Sequence, residues 1–277
     1  MPTLKNWLDD ASAQLHAADI ASARLDAEII LAHCLRQPRT YVHAHQDDTL
    51  DPRTAEIADA RLALRLDRVP IAYIIGHKDF YGRRFSVTTA TLIPRPESET
   101  IIDLLKDIAP KNMSLLPHEP FTIVDVGTGS GCLGITAKLE LPDSRVTLID
   151  ISPHALKVAS SNATRLDADV HILKSDLLAG YPLKAHAIIA NLPYVDPEWD
   201  TSPETAHEPS IALFAGKNGL ALIEKLIDQA ALQLHSGGHL ILEADPRQHD
   251  AIVAYSAGKK RFSLAKIDGF CLLLVKH

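Results

Sequence analysis

The sequence predicts an α/β fold, a mostly parallel sheet with one antiparallel strand, preceded by a small helical unit. Three observations predict it. From residue 97 onward, apolar β-branched runs alternate with stretches of helical period, the pattern of a parallel sheet covered on both faces. The run Phe121-Thr-Ile-Val-Asp-Val126 is followed at once by Gly127, Gly129 and Gly131, which let a strand turn tightly into a helix and approach a ligand. Residues 4–76 repeat apolar side chains at helical spacing and show no strand period.

At 277 residues the chain is long enough for one large domain and a small one, and 46% hydrophobic with 23% charged residues is ordinary for a globular protein. The expected division is a helical domain over 1–76, a β-hairpin linker over 77–96 and the α/β domain over 97–277. Asp9 and Asp10 fall where the apolar core of a signal peptide would run, and no apolar stretch approaches spanning length. A cytoplasmic protein with no membrane role is expected. Cys34, Cys132 and Cys271 are odd in number and far apart, which argues against a disulfide framework or a zinc site. A net charge of −7 argues against a protein that grips nucleic acid backbone, and Lys259-Lys260-Arg261 reads as a solvated turn. His43 and His45, two apart on a predicted helix, face different sides with no further ligand at metal spacing, so no metal is expected.

In chain order, Leu4, Trp7, Leu8, Ala11 and Leu15 mark a first helix, and Leu25, Ile29, Ala32 and Leu35 a second. Asp51-Pro52 caps another, with proline at its first position. Alternation from Lys78 to Leu92 predicts the hairpin, and Ile93-Pro-Arg-Pro-Glu97 a stiff extended turn. Helices are expected over about 98–108, 131–139, 153–163 and 217–234, the third opened by Ser152 as cap and Pro153 at N1. Strands are expected over 121–126, 145–149, 170–173, 185–190 and 238–243. The chain should close with a hairpin, 262–267 and 270–276, turning at Asp268-Gly269.

This frame sets Asp125, Asp150, Asp176 and Asn191 at carboxyl ends of strands, where open α/β sheets bind ligands. Asp150 stands nineteen residues beyond Gly131, where a carboxylate can accept hydrogen bonds from both hydroxyls of a ribose. The spacing Gly127-Thr128-Gly129-Ser130-Gly131 is G-x-G-x-G, not the dinucleotide G-x-G-x-x-G. It resembles the cofactor loop of class I S-adenosylmethionine-dependent methyltransferases, which holds an amino acid end instead of a pyrophosphate. There Asp125 can face an ammonium group.

Asn191-Leu192-Pro193-Tyr194 carries the reaction. An amide or aromatic amine nitrogen is a poor nucleophile, because its lone pair is delocalised. The Asn191 side-chain oxygen and the Leu192 carbonyl offer two adjacent acceptors that orient the nitrogen and favour positive charge on it. Pro193 stiffens the turn, and the Tyr194 ring can stack on the flat acceptor group.

Taken together, the chain resembles the HemK/PrmC-type peptide chain release factor glutamine methyltransferases. The resemblance runs through Arg68-Val-Pro70, Tyr73-Ile-Ile-Gly76, Thr91-Leu-Ile-Pro-Arg-Pro-Glu97 with Glu99, the glycine loop, Ser175-Asp176, Asn191 to Tyr194, Glu208-Pro209 with Ala212-Leu213, and Gly219-Leu220. It implies a Rossmann-like, seven-stranded sheet with one antiparallel strand, S-adenosylmethionine as methyl donor, and N5-methylation of the glutamine in the Gly-Gly-Gln loop of class I release factors. By position it implies the methionine end of the cofactor at Gly127 to Gly131 and the ribose at Asp150. Asp176 and Leu177 would lie near the adenine, Asn191 beside the cofactor, and Asn191 to Tyr194 at the substrate glutamine. It also implies that the helical domain recognises the protein substrate; a monomer with no direct nucleic acid contact is expected. Two departures stand out: Leu192 replaces the usual proline, and Leu177 a frequent aromatic. Since the role of residue 192 is a carbonyl, its side chain is expected to be replaceable. The readings left open are a ribosomal-protein glutamine methyltransferase and an adenine-N6 nucleic acid methyltransferase.

Overall fold

A computed structural model describes residues 1–113, 120–258 and 261–277. The chain forms two compact units, one of residues 1–77 with 202–207, the other of residues 78–201 with 208–277. Most of the basic run at 259–261 lies outside the described residues.

The first unit is helical: α1 (Leu4–Ala17), α2 (Ala23–Leu35), α3 (Arg39–Ala44), α4 (Pro52–Leu66) and α5 (Ile71–Ile75). Leu4, Trp7, Leu8, Ala11 and Leu15 are all buried, as their spacing predicts, and meet Ile30, Leu31 and Leu62 in one core. Asp51 caps α4 by accepting from the Thr54 N–H at 3.0 Å. The short helix α5, which the periodicity does not reveal, closes on Gly76. Residues 202–207 belong to this unit through Glu204, which accepts from Arg65 at 3.1 Å, while Arg65 also donates to Asp26 at 2.7 Å. No sequence period announces that segment.

The second unit opens with the hairpin β1 (His77–Phe80) and β2 (Arg83–Ser86), whose Phe80 and Phe85 join the core of this unit. There follow a 3₁₀ turn (Pro96–Ser98), α6 (Glu99–Met113), β3 (Thr122–Val126), α7 (Cys132–Glu140), β4 (Arg145–Asp150) and α8 (Pro153–Arg165). Next come β5 (His171–Lys174), β6 (Ala185–Ala190), the single turn α9 (Ser210–Leu213) and α10 (Ala221–Gln233). The chain ends with β7 (Leu234–Glu243), α11 (His249–Gly258), β8 (Phe262–Asp268) and β9 (Cys271–Lys276).

The described residues form a seven-stranded sheet in the order β5-β4-β3-β6-β7-β9-β8. Strands β3 to β7 are mutually parallel, and β9 runs antiparallel to both of its neighbours. The central strands are buried on both faces, so successive residues of one strand feed different cores, while the edge strands β5 and β8 are largely exposed. Val124, Val126, Ile188 and Ala190 enter one cluster with α10 and α11, while Ile123, Ala187 and Ile189 enter the other with α6 and α7. That double burial explains why these strands read as continuous apolar runs.

Two elements start four residues from where they are expected, and α6 runs to Met113, past its expected end near 108. The long helix starts at Ala221, not 217, because Lys217, Asn218 and Gly219 are all left-handed. Strand β7 starts four residues early, at Leu234, with an irregular register against Ala185 and Ala187. No helix among the described residues is long and apolar enough to cross a membrane.

Candidate active site

The sheet order reverses direction between β3 and β6, and at that switch, beyond the carboxyl ends of the strands, lies a cavity of about 230 Å³. Gly127, Thr128, Gly129 and Ser130 line it. Gly127 has φ +73°, and a β-carbon there would come within 2.8 Å of Leu192 Cδ2, so any other residue would be strained and would have to displace that side chain. Gly131 is not in the wall; it is the N-cap of α7.

Asp125 also stays out of the cavity lining, and the expectation that it faces an ammonium group is not met. It is fully buried, and its Oδ2 accepts from Thr128 Oγ1 at 2.5 Å and from the Gly134 N–H at 2.9 Å. The carboxyl is thus a post beneath the glycine loop. Burial pushes its pKa up to about 7, and the nearby Asp150 carboxylate adds to the rise.

Asp150, the last residue of β4, does line the cavity. Its Oδ2 accepts from the Gly129 N–H and its Oδ1 from the Ser152 N–H, each at 2.9 Å. One donor comes from the glycine loop and the other from the turn after β4, so the carboxylate is oriented by both loops, and each oxygen keeps a lone pair for a ligand hydroxyl. Asp176 and Leu177 line the cavity as well, Asp176 paired with Lys225 at 2.6 Å and Leu177 buried in a left-handed conformation. Apolar surface comes from Leu133, Ile151, Ala155 and Leu222.

Asn191, Leu192 and Pro193 bring the end of β6 to the same cavity. Asn191 Nδ2 donates to Ser98 Oγ at 2.9 Å, which leaves Oδ1 as the acceptor this amide can offer. Tyr194 is not in the lining. It is half-buried, and its hydroxyl donates to Glu243 Oε1 at 3.2 Å. Burial and that carboxylate push the phenol pKa well above its usual range. The loop after Tyr194 is held from behind, since Gln248 Nε2 donates to the Tyr194 carbonyl at 2.8 Å and a β-carbon on Gly219 would lie 1.9 Å from that oxygen. The Leu192 side chain, expected to be replaceable, is 3% exposed and joins the sheet core.

Residues 6–76 match the model of the PrmC N-terminal domain, and residues 111–209 match that of the methyltransferase small domain. A release factor glutamine methyltransferase of Koribacter versatilis (strain Ellin345) is 38% identical over 254 residues, covering 88% of this chain and 89% of that protein. The chain belongs to the release factor glutamine methyltransferase family. A second member, from Escherichia coli (strain K12), is 35% identical across 90% of this chain and 88% of its own. The fold of the family extends to a solved methyltransferase structure from Pyrococcus furiosus, 19% identical with a TM-score of 0.52, covering 79% of this chain and 96% of that one. Among the residues of this glutamine methyltransferase fold that sequence reasoning passes over are Ser98, Glu243 and Gln248. The signal for Glu243 was available: a carboxylate ending an apolar parallel strand, as at Asp150.

Proposed function

We propose that this protein transfers a methyl group from S-adenosylmethionine to the side-chain amide nitrogen of the glutamine in the Gly-Gly-Gln loop of class I release factors. The observation that carries the reading is the Asn191 amide, held at Nδ2 by Ser98 so that an acceptor is left for the cavity that Gly127 and Asp150 also line. The cavity suits the cofactor. A β-carbon on Gly127 would press on Leu192, the neighbour of Asn191, and Asp150 keeps a free lone pair on each oxygen for the ribose hydroxyls. Gly127 to Ser130 would take the methionine end, with Asp176 and Leu177 near the adenine. Gly131 would serve the same loop from behind, as its helix cap.

When bound, S-adenosylmethionine supplies a methyl group on a positively charged sulfur. The chain's own contribution is to the acceptor. Asn191 Oδ1 and the Leu192 carbonyl each accept one N–H of the substrate carboxamide, which fixes the plane of the nitrogen and stabilises the positive charge that grows on it. Pro193 limits the turn to one shape, and Tyr194, outside the cavity lining, steadies the loop through its tethered hydroxyl. The nitrogen gains the methyl carbon and gives up one proton to solvent, so no strong base is required. The helical unit of residues 1–77 with 202–207 recognises the release factor, and the enzyme works as a cytoplasmic monomer on protein alone, without nucleic acid or membrane. Support comes from the place of release factors in translation, the net charge of −7 and three free cysteines.

The test is methyl transfer from labelled S-adenosylmethionine to purified release factor, with a Gln→Ala change in its Gly-Gly-Gln loop as control and DNA as competing substrate. Label on the wild-type factor and none on the control is expected. Label on DNA, or none on the release factor, overturns the reading.

A further inference from the structure

Strands β6 and β7 lie side by side, with Ala190 opposite Leu242. The register therefore brings the next residues, Asn191 and Glu243, to the same edge of the sheet. Between them sits Ser98, the last residue of the 3₁₀ turn that follows the stiff Pro94-Arg95-Pro96 segment. Ser98 and Glu243 are each 2% exposed; Ser98 reaches the cavity wall beside Asn191, Glu243 lies behind it, and neither is among the cofactor contacts argued above.

The hydrogen bonds among them have one consistent direction. Ionised, Glu243 only accepts, and its Oε2 lies 2.5 Å from Ser98 Oγ, so the single proton of that hydroxyl is committed to the carboxylate. Ser98 is left with lone pairs. Toward Asn191 it can only accept, and the 2.9 Å contact is to the Asn191 Nδ2. With its NH₂ end engaged, the amide presents its oxygen to the cavity. The opposite orientation would set Asn191 Oδ1 against a serine lone pair and an NH₂ donor against the N–H groups of the substrate, two repulsive contacts for two attractive ones. The Tyr194 hydroxyl donates to the other oxygen, Glu243 Oε1, so both ends of the Asn191–Tyr194 loop are tied to one carboxylate. Burial pushes the Glu243 carboxyl above its usual range, and the hydrogen bonds from Ser98, Tyr194 and Asn191 act against that rise.

We propose that Ser98 and Glu243 are positioning residues which fix the end of the Asn191 amide that faces the substrate nitrogen. The inference rests on the proposed role of Asn191 and extends it by naming what sets the polarity of that amide. Neither residue touches the reacting atoms. Their effect runs through Asn191, so it should appear in turnover and vanish when Asn191 is gone.

The experiment measures steady-state methyl transfer to purified release factor by the full chain, with cofactor affinity by calorimetry and thermal melting on every variant. Ser98→Ala is expected to lower kcat about tenfold or more, while KM for the release factor and Kd for S-adenosylmethionine stay within about threefold. Ser98→Thr, which keeps the hydroxyl, should recover kcat to within about threefold of wild type. Glu243→Gln places an NH₂ group where the serine proton was accepted, and should lower kcat at least as far as Ser98→Ala. Should Glu243→Gln fail to fold, the Ser98→Ala and Ser98→Thr pair decides by itself. In an Asn191→Ala background, Ser98→Ala should cause no further loss. Wild-type kcat in Ser98→Ala, or the same fractional loss with and without Asn191, overturns the proposal. A wild-type protein that does not methylate the release factor overturns instead the function on which it rests.

Discussion

Leu192 Cδ2 lies 2.8 Å from the point that a β-carbon on residue 127 would occupy. The loop that would hold the cofactor and the loop that would hold the substrate are therefore in van der Waals contact through one side chain. Gly127→Ala meets this contact and must also adopt φ +73°. The two penalties together amount to about 2 kcal/mol or more. Cofactor affinity should fall by about thirtyfold, as measured by calorimetric titration. Adding Leu192→Ala should recover only part of the loss, because the backbone penalty remains.

Asn191→Ala removes the acceptor without touching Gly127 or Asp150. Turnover should drop by about 100-fold or more, the usual loss when a transition-state hydrogen bond is deleted. Binding of S-adenosylmethionine should stay within about threefold. Single-turnover methyl transfer alongside calorimetry separates the two quantities, and unchanged turnover would remove the amide from the mechanism.

Asp125 predicts a pH dependence of stability. Its carboxyl ionises near 3.8 in an unfolded chain and about 7 in the fold, where burial favours the neutral form. The folded state thus binds the extra proton between those values, and stability falls as pH rises from 4 to 7. The loss is on the order of 4 kcal/mol for this group. In Asp125→Asn, one amide oxygen can still accept from both Thr128 and Gly134, the two donors that now share Oδ2. Thermal melts across pH 4 to 8 should therefore show the variant gaining on wild type as pH rises. A constant difference would mean that Asp125 does not titrate in that window.

In the helical unit, Arg65 is 7% exposed and its two carboxylate partners are Asp26 at 2.7 Å and Glu204 at 3.1 Å. Asp26→Ala leaves the guanidinium buried with half of its compensation, at a cost of about 3 kcal/mol. The paired change Asp26→Ala with Arg65→Met should cost less than the single one. Chemical denaturation of the three proteins checks the order.

Most of the sheet was legible in the sequence because its strands are buried on both faces and bounded by polar or glycine residues, as Thr122–Val126 and Ala185–Ala190 show. Asp150 and Asn191 were legible for the same reason, each being the polar residue that ends the run, after Leu148-Ile149 and after Ala187-Ile-Ile-Ala190. Ser98 was not. Its importance comes from Glu243, 145 residues away, and no local period carries that pairing. Asp125 was misjudged, since position before a glycine loop does not say whether a side chain points into the cavity or beneath it. Helix α11 went unread because its apolar residues lie around much of its circumference, with only His249, Ile252 and Ser256 buried. Leu192 shows the same limit from the other side: the chemistry required a carbonyl, and packing required the side chain.

The helical unit is not a detachable N-terminal piece. It is completed by residues 202–207, which come eight positions after Tyr194 in the chain and bring Glu204 to Arg65. Cutting the gene after codon 77 would leave that arginine short of one counter-charge, and transplanting those 77 residues onto another catalytic sheet would carry the same deficit. A functional chimaera needs two crossover points on the catalytic side, so recombination can exchange this module only as an insertion paired with a terminus. The unit that would select the substrate and the loop that would modify it are bound to be inherited together.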